Sequence, residues 1–91
     1  MATAPAAGVD RDTVLSALHD HVVEEILLLD EPLSKDADLF DAGFDSMSLA
    51  RVLVFVEERF GVTIPDEAVV VDEVSTLETM TTFVLGYLER S

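Results

Sequence analysis

A chain of 91 residues has room for one domain and one modest core, and with 49% apolar residues it can fold. Nineteen acidic residues against five basic ones give a net charge of −14, which disfavours nucleic acid and anionic membranes and favours partners with basic patches. There is no cysteine, so the polypeptide supplies no disulfide, no thiolate metal site and no thiol chemistry.

Residues 1–8 lack both the basic residue and the apolar stretch of a signal peptide, and read as a disordered lead-in to a domain over 9–91. No apolar run approaches the roughly 18 residues needed to span a bilayer. A cytoplasmic protein is expected, and the initial Met with compact ends favours a discrete one over a piece of a larger synthase.

The first helix is expected from Asp10, a good N-cap, to about Leu29, with Pro32 as its stop. Its apolar residues Val14, Leu15, Leu18, Val22, Ile26 and Leu29 recur at helical spacing. His19 and His21 stand about 200° apart on it and cannot share a metal. A long connection, Asp30 to Phe44, follows; connections of this length are usually functional. Leu33, Leu39 and Phe40 are its expected anchors. Its Asp36, Asp38 and Asp41 lack the Gly and terminal Glu spacing of a calcium loop, so no metal site is expected.

The second helix is expected over Ser46 to about Phe60, ended by Gly61. Leu49, Val52, Leu53, Val56 and Phe60 form its core face. Met47, Ala50, Arg51 and Val54 share another face and suit an exposed strip for docking partner proteins, while Phe55 is assigned to the core. Asp45 is a candidate N-cap. It leaves Ser46 at the first helical position, pointing outward where the helix end favours a phosphate. On this pentapeptide alone, Ser46 reads as a plain helix-start residue.

A short helical turn is expected from Pro65 to about Val70. Ser75-Thr76-Leu77-Glu78 reads as a capping box with Ser75 at the cap, opening a helix with Leu77, Met80, Val84, Tyr87 and Leu88 on one stripe. The expected fold class is all-α: a four-helix bundle with three longer helices, one short one and a long first loop.

The run Asp38-Leu39-Phe40-Asp41-Ala42-Gly43-Phe44-Asp45-Ser46-Met47, an apolar helix, then Phe60-Gly61-Val62-Thr63-Ile64-Pro65-Asp66-Glu67, resembles the acyl carrier and peptidyl carrier protein family. The likeness extends from Val9 to Glu89 in order and spacing. It implies a covalent 4'-phosphopantetheine arm, joined to Ser46 from coenzyme A by a Mg²⁺-dependent phosphopantetheinyl transferase. The arm's thiol then holds acyl or aminoacyl groups as thioesters; the carrier is not an enzyme and has no catalytic residues.

The resemblance gives Asp45 a role in capping and transferase recognition, and Gly43 a role in permitting a turn or a close approach. It assigns Met47, Ala50, Arg51, Val54 and Val70 to partner contact. Further partners implied are a loading adenylating enzyme or acyltransferase and a downstream synthase, with the carrier itself a monomer.

Fatty-acid-synthesis carriers usually have acidic residues where this chain has Ser48 and Arg51, and the commoner residue at Met47 is Leu. Asp-Ser-Met occurs in D-alanyl carriers and in several discrete carriers of specialised metabolism. The expectation is a stand-alone carrier of polyketide or nonribosomal peptide synthesis, with a general fatty acid carrier or a non-carrier helical adaptor as alternatives.

Overall fold

The computed structural model describes residues 10–90, and the lead-in expected over 1–8 lies outside them. Asp10 caps the first helix, α1 (Arg11–His21), its Oδ1 accepting from Thr13 N–H at 2.9 Å. Regular α geometry stops at His21. One π turn, Val22–Ile26, extends the helix, which therefore ends before the expected Leu29. The wider turn lets the adjacent Val22 and Val23 both face the core.

Closure of that turn owes nothing to Pro32. Leu27 N–H donates to Val22 O and Leu29 N–H to Val23 O, each at 2.8 Å, around Leu28 in the left-handed conformation at φ 53°. Glycine is usual at such a helix terminus. A leucine there carries roughly 1–2 kcal/mol of local strain.

The connection up to Phe44 is stitched to both outer helices. His19 Nε2 accepts from Leu33 N–H at 3.0 Å. Leu39 N–H donates to Ser75 O at 2.8 Å, and Lys35 O accepts from Glu78 N–H at 3.0 Å. Leu39 is fully buried and Leu33 partly so, as expected, but Phe40 is not an anchor. Turn hydrogen bonds from Ala42 and Phe44 N–H both reach Leu39 O, which points Leu39 and Phe44 inward and leaves Phe40 at the rim. The Phe40 ring rests edge-on against Phe44 at 5.7 Å.

The second helix, α2, covers Ser46–Phe60 and ends at left-handed Gly61 (φ 73°), whose N–H returns to Glu57 O at 2.9 Å. Val52 and Val56 are buried, with Leu49, Leu53 and Phe60 packed partly against the same core.

The short helix expected before the last one is absent as a single element. Two 3₁₀ turns, Asp66–Ala68 and Val71–Glu73, stand in its place, with Val69 and Val70 between them. Three consecutive valines resist a continuous helix, because β-branched side chains lose rotamer freedom against the preceding turn. The described residues therefore form three α-helices and two short turns, and no strand.

The last helix, α3, covers Leu77–Arg90. Its cap is Thr76 rather than Ser75: Thr79 N–H donates to Thr76 Oγ1 at 3.1 Å and Thr76 N–H to Thr79 Oγ1 at 3.3 Å. The reciprocal pattern is that of a capping box, set one residue later. Ser75 is committed elsewhere, its carbonyl to Leu39 and its hydroxyl to Asp72 O. Leu77, Met80, Val84 and Leu88 are buried against α1, while Tyr87 is half-buried beside Phe83. Buried Thr81 donates to Leu77 O at 2.7 Å, which satisfies its hydroxyl within the helix.

Candidate functional site

The start of α2 gathers Gly43, Asp45 and Ser46. Gly43 has φ 107°, a conformation open to glycine and costly for other residues. A β-carbon added there would meet only Leu27 Cδ2, at an ordinary 3.9 Å, so the turn and not a close approach requires the glycine. The chain then extends through Asp45, whose Oδ1 accepts from Ser48 N–H at 2.9 Å and from the Ser48 hydroxyl at 3.0 Å. These two hydrogen bonds, the backbone one first, hold the Asp45 carboxyl below the usual carboxylate range.

Ser48 is thus part of the site, though its sequence position suggests only a departure from an acidic partner contact. The spacing contains the signal: a hydroxyl three residues after an Asp cap can donate to the same carboxylate as its own N–H does. The arrangement fixes the first turn of α2 and leaves Ser46 exposed as its first residue. No hydrogen bond among the described residues engages the Ser46 hydroxyl. The positive helix end beside it favours a phosphodiester. An accessible hydroxyl at such a terminus fits a phosphate-linked arm.

Along α2, Met47 is 76% and Val54 54% exposed, and Ala50 and Arg51 are exposed with them. Arg51 Nη2 donates to Glu25 O at 3.4 Å, placing a cation over the carbonyl end of the π turn. A groove of about 330 Å³ opens along this strip, lined by His21, Ala50, Arg51, Val54, Phe55 and Glu58. Phe55, assigned to the core, is half-buried and forms the groove floor with His21 stacked on it. Val70 is 53% exposed in the extended link between the 3₁₀ turns, and is not among the groove's lining residues.

The acidic loop has no ligating cluster: among the described residues no group of three or more His, Asp or Glu could hold a metal. Asp36 accepts from the Ser34 hydroxyl, and Asp38 accepts from Phe40 and Asp41 N–H, so both carboxylates are engaged within the loop. Among the described residues no helix is long and apolar enough to cross a membrane.

An accessible serine thus stands at a capped helix start, preceded by a glycine-dependent turn and followed by an exposed strip. Residues 16–84 match the family model for the phosphopantetheine attachment site, and the chain belongs to this family of phosphopantetheine carrier domains. No curated protein and no solved structure matches it. Its cofactor is covalent 4'-phosphopantetheine. Domains of this family are modified by a phosphopantetheinyl transferase, interact with biosynthetic enzymes and are generally non-catalytic.

Proposed function

We propose that this chain is a discrete carrier that holds acyl or aminoacyl intermediates as thioesters on an arm at Ser46. The observation that supports the assignment to Ser46 is its exposure at the first position of a helix whose cap, Asp45, is locked by Ser48. In the loading step Ser46 Oγ bonds to the phosphorus that carries pantetheine. The pyrophosphate P–O bond of coenzyme A breaks, adenosine 3',5'-bisphosphate leaves with the electron pair, and the serine proton passes to a base of the transferase. Asp45 is assigned no part in that proton transfer: its Oδ1 holds Ser48 and orients the helix start. Gly43 sets the direction from which the loop delivers the serine. When attached, the arm supplies the thiol that a chain without cysteine lacks.

The clientele we infer is a dedicated set of polyketide or nonribosomal peptide enzymes, with an adenylating enzyme or acyltransferase loading the cargo and a synthase consuming it. Ser48 and Arg51 support this over general fatty acid synthesis. One is turned inward to Asp45 and the other is a cation on the exposed strip, where carriers of fatty acid synthesis usually present acids. The carrier itself catalyses nothing and works as a cytoplasmic monomer in this reading. Met47, Ala50, Arg51, Val54 and Val70 are its proposed partner contacts.

The test is intact-mass measurement after incubation with coenzyme A, Mg²⁺ and a broad-specificity transferase. A gain of one phosphopantetheine in the native chain and none in Ser46→Ala is expected. Absence of any gain, under conditions that modify a control carrier, favours the helical adaptor instead.

A further inference from the structure

The groove beside α2 takes Ala50, Arg51, Val54, Phe55 and Glu58 from that helix and His21 from α1. Its volume of about 330 Å³ falls within the roughly 300–1,000 Å³ of small-molecule sites. Ala50, Val54 and the stacked Phe55 and His21 rings make it largely apolar, with Arg51 and Glu58 as its charged residues. One polar group in its wall is unsatisfied: His21 Nε2 is buried with no hydrogen-bond partner among the described residues. A purely apolar occupant would leave that nitrogen unpaired, whereas one with amide or hydroxyl groups can supply a partner.

Helix geometry ties this groove to Ser46. Ser46, Ala50, Val54 and Glu58 stand four residues apart on α2, and each step advances about 6 Å along the axis and about 40° around it. The row starts at Ser46, enters the groove one turn later at Ala50, and reaches Glu58 about 18 Å from the serine. Met47, 76% exposed, lies about 100° round from Ser46 and so on the groove's side of the helix. A larger, acidic groove shares His21 and Phe55 but takes no residue from the first two turns of α2.

We propose that the groove between His21 and α2 is the resting site of the phosphopantetheine arm. This rests on the reading of Ser46 as the attachment point. The extended arm is long enough to follow the row from Ser46 to Glu58. Its dimethyl carbon suits Ala50, Val54 and Phe55, and its hydroxyl and amides suit Arg51, Glu58 and the unpaired His21 nitrogen. A tethered group meets its site at an effective concentration of about millimolar, so a modest contact area holds it. Ala50, Arg51 and Val54 are also proposed partner contacts, so arm and partner exclude each other from the strip. Docking of a partner then frees the arm to enter that enzyme.

The experiment compares, by nuclear magnetic resonance, the unloaded chain with the native, Val54→Ile and Val54→Asp chains loaded by a transferase, each checked by intact mass. In the loaded native chain, nuclear Overhauser contacts should join the arm's methyl groups to those of Ala50 and Val54. The His21 and Phe55 ring signals should shift from their unloaded positions. Val54 is 54% exposed, so both variants should keep the native melting midpoint within a few degrees. Val54→Asp should lose the contacts while keeping the added mass, and Val54→Ile should retain them. Arm contacts that are absent, or confined to residues 43–47, overturn the proposal, as do contacts that persist unchanged in Val54→Asp. Ring signals that move with concentration of the unloaded chain also overturn it, since they place a second copy in the groove. A native chain that gains no arm removes the Ser46 assignment and this inference together. A chain that gains the arm on Ser46 but shows no groove contacts removes the resting site alone.

Discussion

His21 lies flat against Phe55, ring centroids 4.1 Å apart and planes 10° from parallel, joining the last turn of α1 to the middle of α2. Its Nε2 is buried without a hydrogen-bond partner among the described residues. Burial pushes the His21 pKa below its ordinary 6.5, with Glu25 opposing the shift and Arg51 adding to it. As pH falls, the ring in the unfolded chain takes up its proton first, so protons favour unfolding. Stability contributed by neutral His21 is complete above about pH 6.5 and is lost below it, down to the lower pKa of the folded ring. The thermal midpoint should therefore drop more for the native chain than for His21→Gln between about pH 7.5 and 5. Asp10, Asp36 and Asp45 are held below 3.8 and titrate outside that window. Parallel curves for the two proteins would sink the prediction.

Asp45 behaves in the opposite sense. Its carboxylate form is favoured in the fold, so its contribution is present above about pH 3.8 and fades as pH falls through the lower folded value. Asp45→Ala should lower the melting midpoint at pH 7, and Asp45→Asn, which keeps an acceptor for Ser48 N–H, should recover most of it. Ser48→Ala keeps the backbone hydrogen bond and should soften the acid dependence without abolishing it, as read by acid titration of helicity.

Two left-handed glycines separate stability from presentation. Gly61→Ala and Gly43→Ala should each cost about 1–2 kcal/mol in denaturant unfolding, because alanine tolerates neither conformation well. Gly61 lies at the far end of α2 and its variant should be modified at Ser46 at the native rate. Gly43 directs the loop into Ser46, and its variant should be modified more slowly at temperatures where both are folded. Equal transfer rates would remove Gly43 from the site.

Truncation of the loop anchors should rank by burial. Leu39→Ala and Phe44→Ala empty fully enclosed positions and should each cost about 3 kcal/mol or more, whereas Phe40→Ala at the rim should cost about 1 kcal/mol or less. Urea unfolding of the three variants checks the order; Phe40 as the costliest would restore it as an anchor.

Arg51→Glu places a carboxylate over the Glu25 carbonyl in place of a guanidinium. The stability change should be small, about 0.5 kcal/mol, because the contact is long and exposed. Loading by the cognate adenylating enzyme or acyltransferase should fall at unchanged melting temperature. An unchanged loading rate would remove Arg51 from partner choice.

Where a residue's role depended on its own periodicity or on a single neighbour, the sequence showed it. Asp10 and Asp45 as caps, Gly61 as a terminator and the α2 span follow from residue type at a boundary. Roles set by tertiary partners were hidden. Phe40 and Phe44 are equally apolar, and only the turn around Leu39 decides which is buried. Ser75 and Thr76 are both capping residues, and the demand of Leu39 N–H for the Ser75 carbonyl moves the cap to Thr76. The π turn and left-handed Leu28 have no local signal, since no residue type there favours either. Ser46 as the first residue of α2 followed from Asp45 before it, whereas the role proposed for it rests on the spacing of the whole chain.

Lys35 O and Ser75 O join the middle of the long connection to the start of α3, the first accepting from Glu78 N–H and the second from Leu39 N–H. The Lys35 and Glu78 side chains reinforce the seam at 4.0 Å. Seen mechanically, the segment that delivers Ser46 is clamped by the part of the chain furthest along from it. Splicing this domain to another protein, or trimming it to its shortest folded form, must spare α3 through Leu88, because losing that helix would unfasten from behind the loop that leads into Ser46.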